Sequence, residues 1–581
     1  MGGAGDPPEP RRRRDAGAAV RLHRVGRGAA GGEGDAGGQR RGSRGARRGA
    51  EGGAAVSGEG PLDPFAGEPD EDLDDLTGPL SDGEEDDSGE EAFGTDGLRR
   101  GRVPQDRRPP SRVPGAAVAA ATPGPAVEDD PRFEEVVAQI LARNPEHRIH
   151  PTLDRVREAC ALLGDPQTAY RVVHLAGTNG KTSTARMVER LVREHDLRTG
   201  RFTSPHLVDI TERIAVDGDP ITHAAFVRAW DDVEPVVSIV DARAAERGEP
   251  RLSFFEVLTL MAFAAFADAP VDVAVIETGL GGTWDTTNVV QPDVAVVTPV
   301  SMDHEAWLGS TLEEIAGQKA GIIKHGSIVV IGKQEEEAGA VLTAKAAAER
   351  VNVVREGVDF GVEERALAVG GQLVSLRTRG GTYTDVLLPL HGVHQAENAA
   401  TALSAAEALL ALPGGTLVPG LVEAAFADVT SPGRLEVLRT SPLVLVDAAH
   451  NPAGAQALAD AVAEAFTLSR LVGVVAVMGD KDVEGVLSAL EPVLAEVVVT
   501  RSSSPRGLEP AELAEIAEDV FGEDRVHLVE RLDEAIATAV DLAESDTGAG
   551  GGIGGSGAGV VVAGSVVLAG DVRALFGKGQ G

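Results

Sequence analysis

Seven consecutive residues, Gly177-Thr178-Asn179-Gly180-Lys181-Thr182-Ser183, have the composition needed to hold a polyphosphate. Glycines let main-chain N–H groups approach phosphate oxygens, the Lys181 ammonium can reach the terminal phosphates, and a Thr182 or Ser183 hydroxyl can ligate magnesium. The run follows an apolar segment, 172–176, that reads as a buried strand, and it opens an amphipathic helix at 184–193. Order and composition therefore both fit a phosphate loop. Leu175 stands where the usual pattern has glycine, which makes this loop a shortened variant. Transfer of a phosphoryl group also needs cations to screen charge, and hard oxygen ligands with an occasional histidine suit magnesium. Glu277 ends the apolar run 271–276 and precedes Gly279, Gly281 and Gly282; His304 follows the run 294–298 within Ser301-Met302-Asp303-His304. A loop glutamate or histidine taken alone is more often a surface or capping residue. At the carboxyl ends of parallel strands beside a phosphate loop, both become candidate ligands.

The elements that must position these groups follow an α/β rhythm, in which short apolar runs alternate with longer amphipathic ones. Helical spacing begins at 133–144. Segments 172–176, 271–276, 294–298 and 328–331 read as strands buried on both faces, while 372–377 and 384–388 flank Gly380-Gly381 and read as an antiparallel hairpin appended to that sheet. After Ser431-Pro432-Gly433, a natural hinge, a second series appears at 443–446, 472–477, 496–500, 526–529 and 560–563, with alanine-rich helices between most of them. The expected architecture is a P-loop doubly wound parallel-sheet ATPase domain at 131–430 and a smaller Rossmann-like α/β domain at 431–581, with ligands in the cleft between them. Gly552-Ile553-Gly554-Gly555-Ser556-Gly557 matches the dinucleotide fingerprint by letter, but it precedes a strand instead of following one, so it reads as a linker.

Composition sets outer bounds. The chain has 581 residues, room for about three domains of ordinary size. Residues 1–130 are rich in Gly, Ala, Arg and Pro around an acidic block at 68–91, a composition expected to stay disordered; the basic tract 11–14 belongs to the same tail. With 91 Asp plus Glu against 54 Lys plus Arg, a net charge of −37 argues against an extensive nucleic-acid surface. The one cysteine, Cys160, cannot form an internal disulfide and reads as a small apolar helix residue, which suits a reducing compartment. With no apolar run of membrane-spanning length and no secretory stretch at the start, the expectation is a cytoplasmic protein, a monomer without membrane partners.

With these residues in hand, the sequence resembles the folylpolyglutamate synthase and dihydrofolate synthase branch of the Mur ligase family. The resemblance covers 131 to the C-terminus. It rests on 174–181 with the phosphate loop, Thr203-Ser204-Pro205-His206-Leu207, Glu212-Arg213-Ile214, Phe254-Phe255-Glu256-Val257-Leu258-Thr259, Glu277-Thr278-Gly279-Leu280-Gly281-Gly282 with Asp285 and Asn288, and Lys319-Ala320-Gly321-Ile322-Ile323-Lys324. It continues through His391-Gly392-Val393-His394-Gln395-Ala396-Glu397-Asn398, Pro432-Gly433-Arg434-Leu435-Glu436 and Asp447-Ala448-Ala449-His450-Asn451-Pro452. The implied reaction adds L-glutamate to tetrahydrofolate, and also to dihydropteroate, with ATP and an acyl-phosphate intermediate. Implied ligands of two magnesium ions are the phosphate loop for one and Ser204, Glu277 and His304 for the other; potassium is a further candidate cation. Lys319 resembles the family's carbamylated lysine. Asn398, Arg434, Asp447 and His450 match nucleotide contacts, and Ser204, Pro205, His206, Arg213, Phe254, Phe255 and Asp285 match the acceptor region. An aromatic pair suits a flat pterin, although core packing accounts for either Phe254 or Phe255 equally well, and Arg213 offers a fork for a carboxylate. Departures are Thr283, where the family often has arginine, Ala448, where glycine is frequent, and Thr182, also a frequent glycine. The alternatives are a UDP-N-acetylmuramoyl amino-acid ligase of the same family and a non-catalytic nucleotide-binding protein.

Overall fold

The structure, a computed structural model, describes residues 130–144, 151–410, 415–545 and 557–579. The tail at 1–129 and the glycine run at 552–556 lie outside the described residues. Eight strands form the first sheet: β1 Arg171–Ala176, β2 Thr199–Phe202, β3 Ile214–Val216, β4 Asp219–Pro220, β5 Val273–Glu277, β6 Val294–Val297, β7 Ile328–Ile331 and β8 Asn352–Arg355. Their order is β4-β3-β2-β5-β1-β6-β7-β8, parallel from β2 to β8, with β3 and β4 antiparallel at one edge. β1, β5 and β6 are rich in valine and buried along nearly their whole length, because helices cover both sheet faces. Since β1 lies between β5 and β6, the loops that leave their carboxyl ends meet. That adjacency brings Gly177, Glu277 and the 298–304 segment to one place.

One expectation needs correcting. The hairpin is not appended to this sheet: β9 Gly361–Ala368, β10 Gly371–Arg377 and β11 Thr382–Leu388 make a separate three-stranded antiparallel sheet. Its inward side chains, Val374, Leu376, Tyr383, Val386 and Leu388, share a core with the helices Lys181–Glu194 and Val393–Leu410, so a helix layer and not a strand edge receives them. β9 escapes a period reading because its Glu363-Glu364-Arg365 centre is polar.

The second lobe holds six strands, β12 Glu436–Thr440, β13 Leu443–Val446, β14 Leu468–Val475, β15 Glu496–Val499, β16 Val526–Leu528 and β17 Gly557–Ala563, in the order β12-β13-β17-β14-β15-β16. All but the edge strand β12 run parallel. β17 opens at Gly557 with no helix directly after the glycine run, as a linker reading requires. The first helix spans Pro131–Leu141, beginning two residues before and ending three residues before the 133–144 range its periodicity suggested, and the Asn144 carbonyl instead accepts a hydrogen bond from the Phe254 N–H. Cys160 is buried, and burial pushes its thiol up to about 12, far from a reactive thiolate. No described helix is long and apolar enough to cross a membrane.

Candidate active site

Leu175 lies within β1, opposite Glu277 of β5, so the phosphate loop starts only at Gly177. Gly177 has φ +154°, and a Cβ there would stand 1.8 Å from Thr298 Oγ1. We therefore expect Gly177→Ala to displace the loop, lowering stability by about 2 kcal/mol in denaturant unfolding and weakening ATP binding; unchanged unfolding would refute the close approach. The helix Lys181–Glu194 has no side-chain cap at its amino end, which leaves first-turn N–H groups facing the cavity. Lys181 Nζ folds back over the loop, donating to Gly177 O at 3.0 Å and Thr178 O at 3.2 Å.

The two candidate hydroxyls point to different partners. Thr182 Oγ1 donates to both Glu277 oxygens, at 2.9 and 3.1 Å, whereas buried Ser183 shares a 2.9 Å hydrogen bond with Ser431 Oγ at the hinge. Glu277 is fully enclosed, and burial raises its carboxyl pKa against the opposing pull of Lys181, Thr182, the Ser204 N–H and Arg434. A buried carboxylate beside a loop hydroxyl and Ser204 is a fitting oxygen set for magnesium, one that phosphate oxygens and water would complete. No preassembled cluster of three His, Cys, Asp or Glu side chains exists among the described residues. Glu277 and His304 are therefore not joined by a third such side chain in a ready-made metal-holding group. Magnesium typically retains an open shell.

Lys319 is buried, and its Nζ donates to Gly177 O at 2.9 Å. Burial, with help from the Lys181 charge, lowers its pKa to about 7, so a substantial fraction is a neutral amine near neutrality. A neutral amine is the form that carbamylation requires.

His304 adopts a left-handed backbone, φ 54°, just before the short helix Glu305–Leu308. Its Nε2 lies 3.3 Å from Lys481 Nζ of the second lobe, and burial, together with the neighbouring cations, lowers its pKa to about 4. Asp303 is the centre of this junction. It accepts from Lys481 at 2.6 Å and from Asn451 Nδ2 at 3.2 Å, and His450 Nε2 stands 3.7 Å away. Burial would raise the Asp303 pKa, but His450, His304 and Lys481 together hold it well below the usual carboxylate range. Asn179 of the phosphate loop and Asn451 exchange amide hydrogen bonds of 3.1 and 3.3 Å across the same gap. Asp303, Lys481 and Asn451 were not picked out as site residues from sequence. The available signal was position, since Asp303 follows β6 and Lys481 follows β14, both on the carboxyl side of parallel strands.

Asn398 lies against the phosphate loop, its Oδ1 2.5 Å from where a Cβ on Gly180 would be. Asp447 is buried and accepts from the N–H groups of Leu435, at 2.7 Å, and Ala449, at 2.8 Å. It thereby ties the Arg434 turn to the His450 loop. His450 Nδ1 donates to Ala448 O at 2.9 Å, which leaves Nε2 aimed at Asp303.

On the acceptor side, Arg213 Nε donates to His206 Nδ1 at 2.9 Å, and the guanidinium sits 5.1 Å above the Phe254 ring. Burial, with the Arg213 charge, lowers the His206 pKa to about 3. The two phenylalanines separate: Phe255 lines the cavity and packs on Gly279, whereas Phe254 stays in the core beneath Arg213. The Asp285 carboxylate accepts from Leu280 N, Thr287 N and Thr287 Oγ1 at 2.5–3.0 Å, so it braces the glycine-rich loop. One cavity of about 1190 Å³ is lined by every candidate site residue read from sequence except Phe254.

The sequence matches the Mur ligase middle domain over residues 175–406 and the Mur ligase glutamate ligase domain over 433–566. It is 50% identical over 449 residues to the dihydrofolate synthase/folylpolyglutamate synthase of Mycobacterium tuberculosis, spanning 75% of this chain and 92% of that protein. The Bacillus subtilis protein of the same description is 36% identical over 382 residues, covering 64% and 84% of the two chains. Among solved structures, M. tuberculosis folylpolyglutamate synthase complexed with ADP superposes with a TM-score of 0.74 at 48% identity, over 78% of this chain and 99% of that one. Folylpolyglutamate synthase from Thermotoga maritima gives 0.65 at 31% identity, over 77% and 96%. The chain belongs to the Mur ligase family, in its folylpolyglutamate synthase and dihydrofolate synthase branch.

Proposed function

We propose that this enzyme uses ATP to add L-glutamate to tetrahydrofolate and to dihydropteroate. The observation that carries this reading is a single cavity in which a phosphate loop, a buried carboxylate, the Phe255 ring and polar groups of a second lobe all meet. A carboxylate is a poor electrophile because its charge is delocalised. An acceptor carboxylate oxygen attacks the γ-phosphorus and ADP leaves; the glutamate amine then attacks the acyl carbon, and phosphate departs with the oxygen. Lys181 stabilises the charge that spreads over the transferred group, and the Asp303 junction closes the lobes and excludes water from the acyl phosphate. Magnesium, when bound, screens the phosphates, and Thr182, Ser183, Ser204, Glu277 and His304 are the residues that would hold it. Asn398, Arg434, Asp447 and His450 serve the nucleotide directly or by positioning one another.

We assign residues 131–430 to the ATP-binding domain and 431–581 to the ligase domain, acting as a cytoplasmic monomer on small molecules. A muramoyl ligase would share the phosphate loop, but both relatives above are folate enzymes by description. Purified protein given ATP, glutamate and either dihydropteroate or tetrahydrofolate should release ADP only when an acceptor is present, with the product heavier by one glutamyl residue. Release that depends instead on a UDP-linked sugar, or on no acceptor, would sink this reading.

A further inference from the structure

The chain has three tryptophans, and two of them line the active-site cavity. The third, Trp230, is buried in the core of the first lobe with the Arg143 guanidinium 6.0 Å from its ring. Trp307, on the short helix Glu305–Leu308, is 44% exposed although its neighbour Leu308 is buried. Trp284 and Leu308 both flank Gly281, standing 3.7 and 3.0 Å from the place a Cβ would occupy there, so the two tryptophan-bearing segments adjoin. Leu280, Trp284 and Met302 pack against one core cluster and line the cavity beside Trp307. The result is an apolar wall in a cavity otherwise rich in charge. An indole left half open on the wall of a binding site is poorly explained by packing, because it contributes flat apolar area only when something covers it.

The Trp307 main-chain N–H donates to His304 O at 2.9 Å, which places the Trp307 backbone within one helical turn of a residue assigned above to the phosphoryl-transfer centre. The two acceptors differ in what lies that close to the reacting carboxylate. In dihydropteroate the carboxylate is bonded directly to the benzoyl ring. In tetrahydrofolate the reacting carboxylate ends a flexible glutamyl side chain, and the ring is several bonds further away. We infer that Trp307, backed by Trp284 and Met302, packs against the aminobenzoyl ring of dihydropteroate and so favours the first glutamate addition over chain extension. This inference deepens the ligase reading and rests on it.

The test compares Trp307→Ala, Trp307→Phe and Trp307→Leu in the full chain, measuring KM and kcat for each acceptor at saturating ATP and glutamate, with the KM for ATP as control. Loss of one ring contact is expected to raise the KM for dihydropteroate about tenfold in Trp307→Ala, while the KM for tetrahydrofolate moves less than about threefold. Trp307→Phe should recover most of the loss, since it retains an aromatic face. Trp307→Leu preserves apolar bulk over the helix, and it should raise the same KM, so it carries the comparison if alanine unsettles the fold. Equal shifts for the two acceptors, or a dihydropteroate KM within about twofold of the parent in both Ala and Leu variants, would overturn the inference. A parent enzyme that releases no ADP with either acceptor would instead remove the ligase reading.

Discussion

Lys181→Ala should keep its fold yet turn over more than about a hundredfold more slowly, because the transferred phosphoryl group loses its fixed positive partner in a water-poor site. The structural cost is small. Among the described residues the ammonium donates to Gly177 O and Thr178 O, and both residues line the cavity, where water can take the lysine's place as long as no ligand fills it. The stability change should therefore stay within about 1 kcal/mol. A second readout separates electrostatic from steric loss. Burial raises the Glu277 pKa and Lys181 is the strongest opposing influence, so removing the lysine lets that pKa climb further. Where ionised Glu277 is needed, activity is full above its pKa and fades as pH falls through it, so the acid limb of residual activity should move to higher pH. A variant with near-normal kcat, or an acid limb that stays in place, would contradict the role.

Asp303→Asn is the second large effect. The carboxylate and Lys481 are each less than a tenth exposed, and the substitution leaves that ammonium facing His304 without its counter-charge. Breaking a buried pair from one side costs about 3 kcal/mol, which thermal unfolding should show. Misplacing Lys481, His450 and Asn451 by an ångström would cost about a hundredfold in kcat. The acid dependence gives the sign. The folded pKa of Asp303 lies below its unfolded value of about 3.9, so its contribution is complete above about pH 5 and is lost as pH falls through and below 4. The variant should lose that portion of acid sensitivity. Unchanged turnover and melting would mean that the lobes close without this junction.

The two predictions also mark where sequence reading succeeds and where it stops. Lys181 was legible because strand, glycine loop and helix are local, and β1, β5, β6 and β7 announced themselves through short, largely apolar runs rich in β-branched residues. β2 did not, since Thr199-Gly200-Arg201-Phe202 looks polar until Glu189 is seen to bind both Thr199 and Arg201 inside the protein. Asp303 and Lys481 were illegible as a pair because only lobe closure brings them together; nothing in either segment names the other. The placement of the β10–β11 hairpin failed for a related reason. Its apolar faces fit a sheet edge and a helix layer equally well, and the long helix Val393–Leu410 decides between them.

The topology of the second sheet has a consequence for biosynthesis. β17 is inserted between β13 and β14, so Leu443 waits for Gly559 and Val472 for Val560 before the central ladder can zip. During translation a ribosome would carry β13 and β14 with their facing edges open, and the Asp447 and Lys481 loops would lack a common platform. The nascent lobe should depend on chaperone shelter until those late residues emerge, and a stop codon upstream of Gly557 would be expected to leave a phosphate-binding half with no partner to close it.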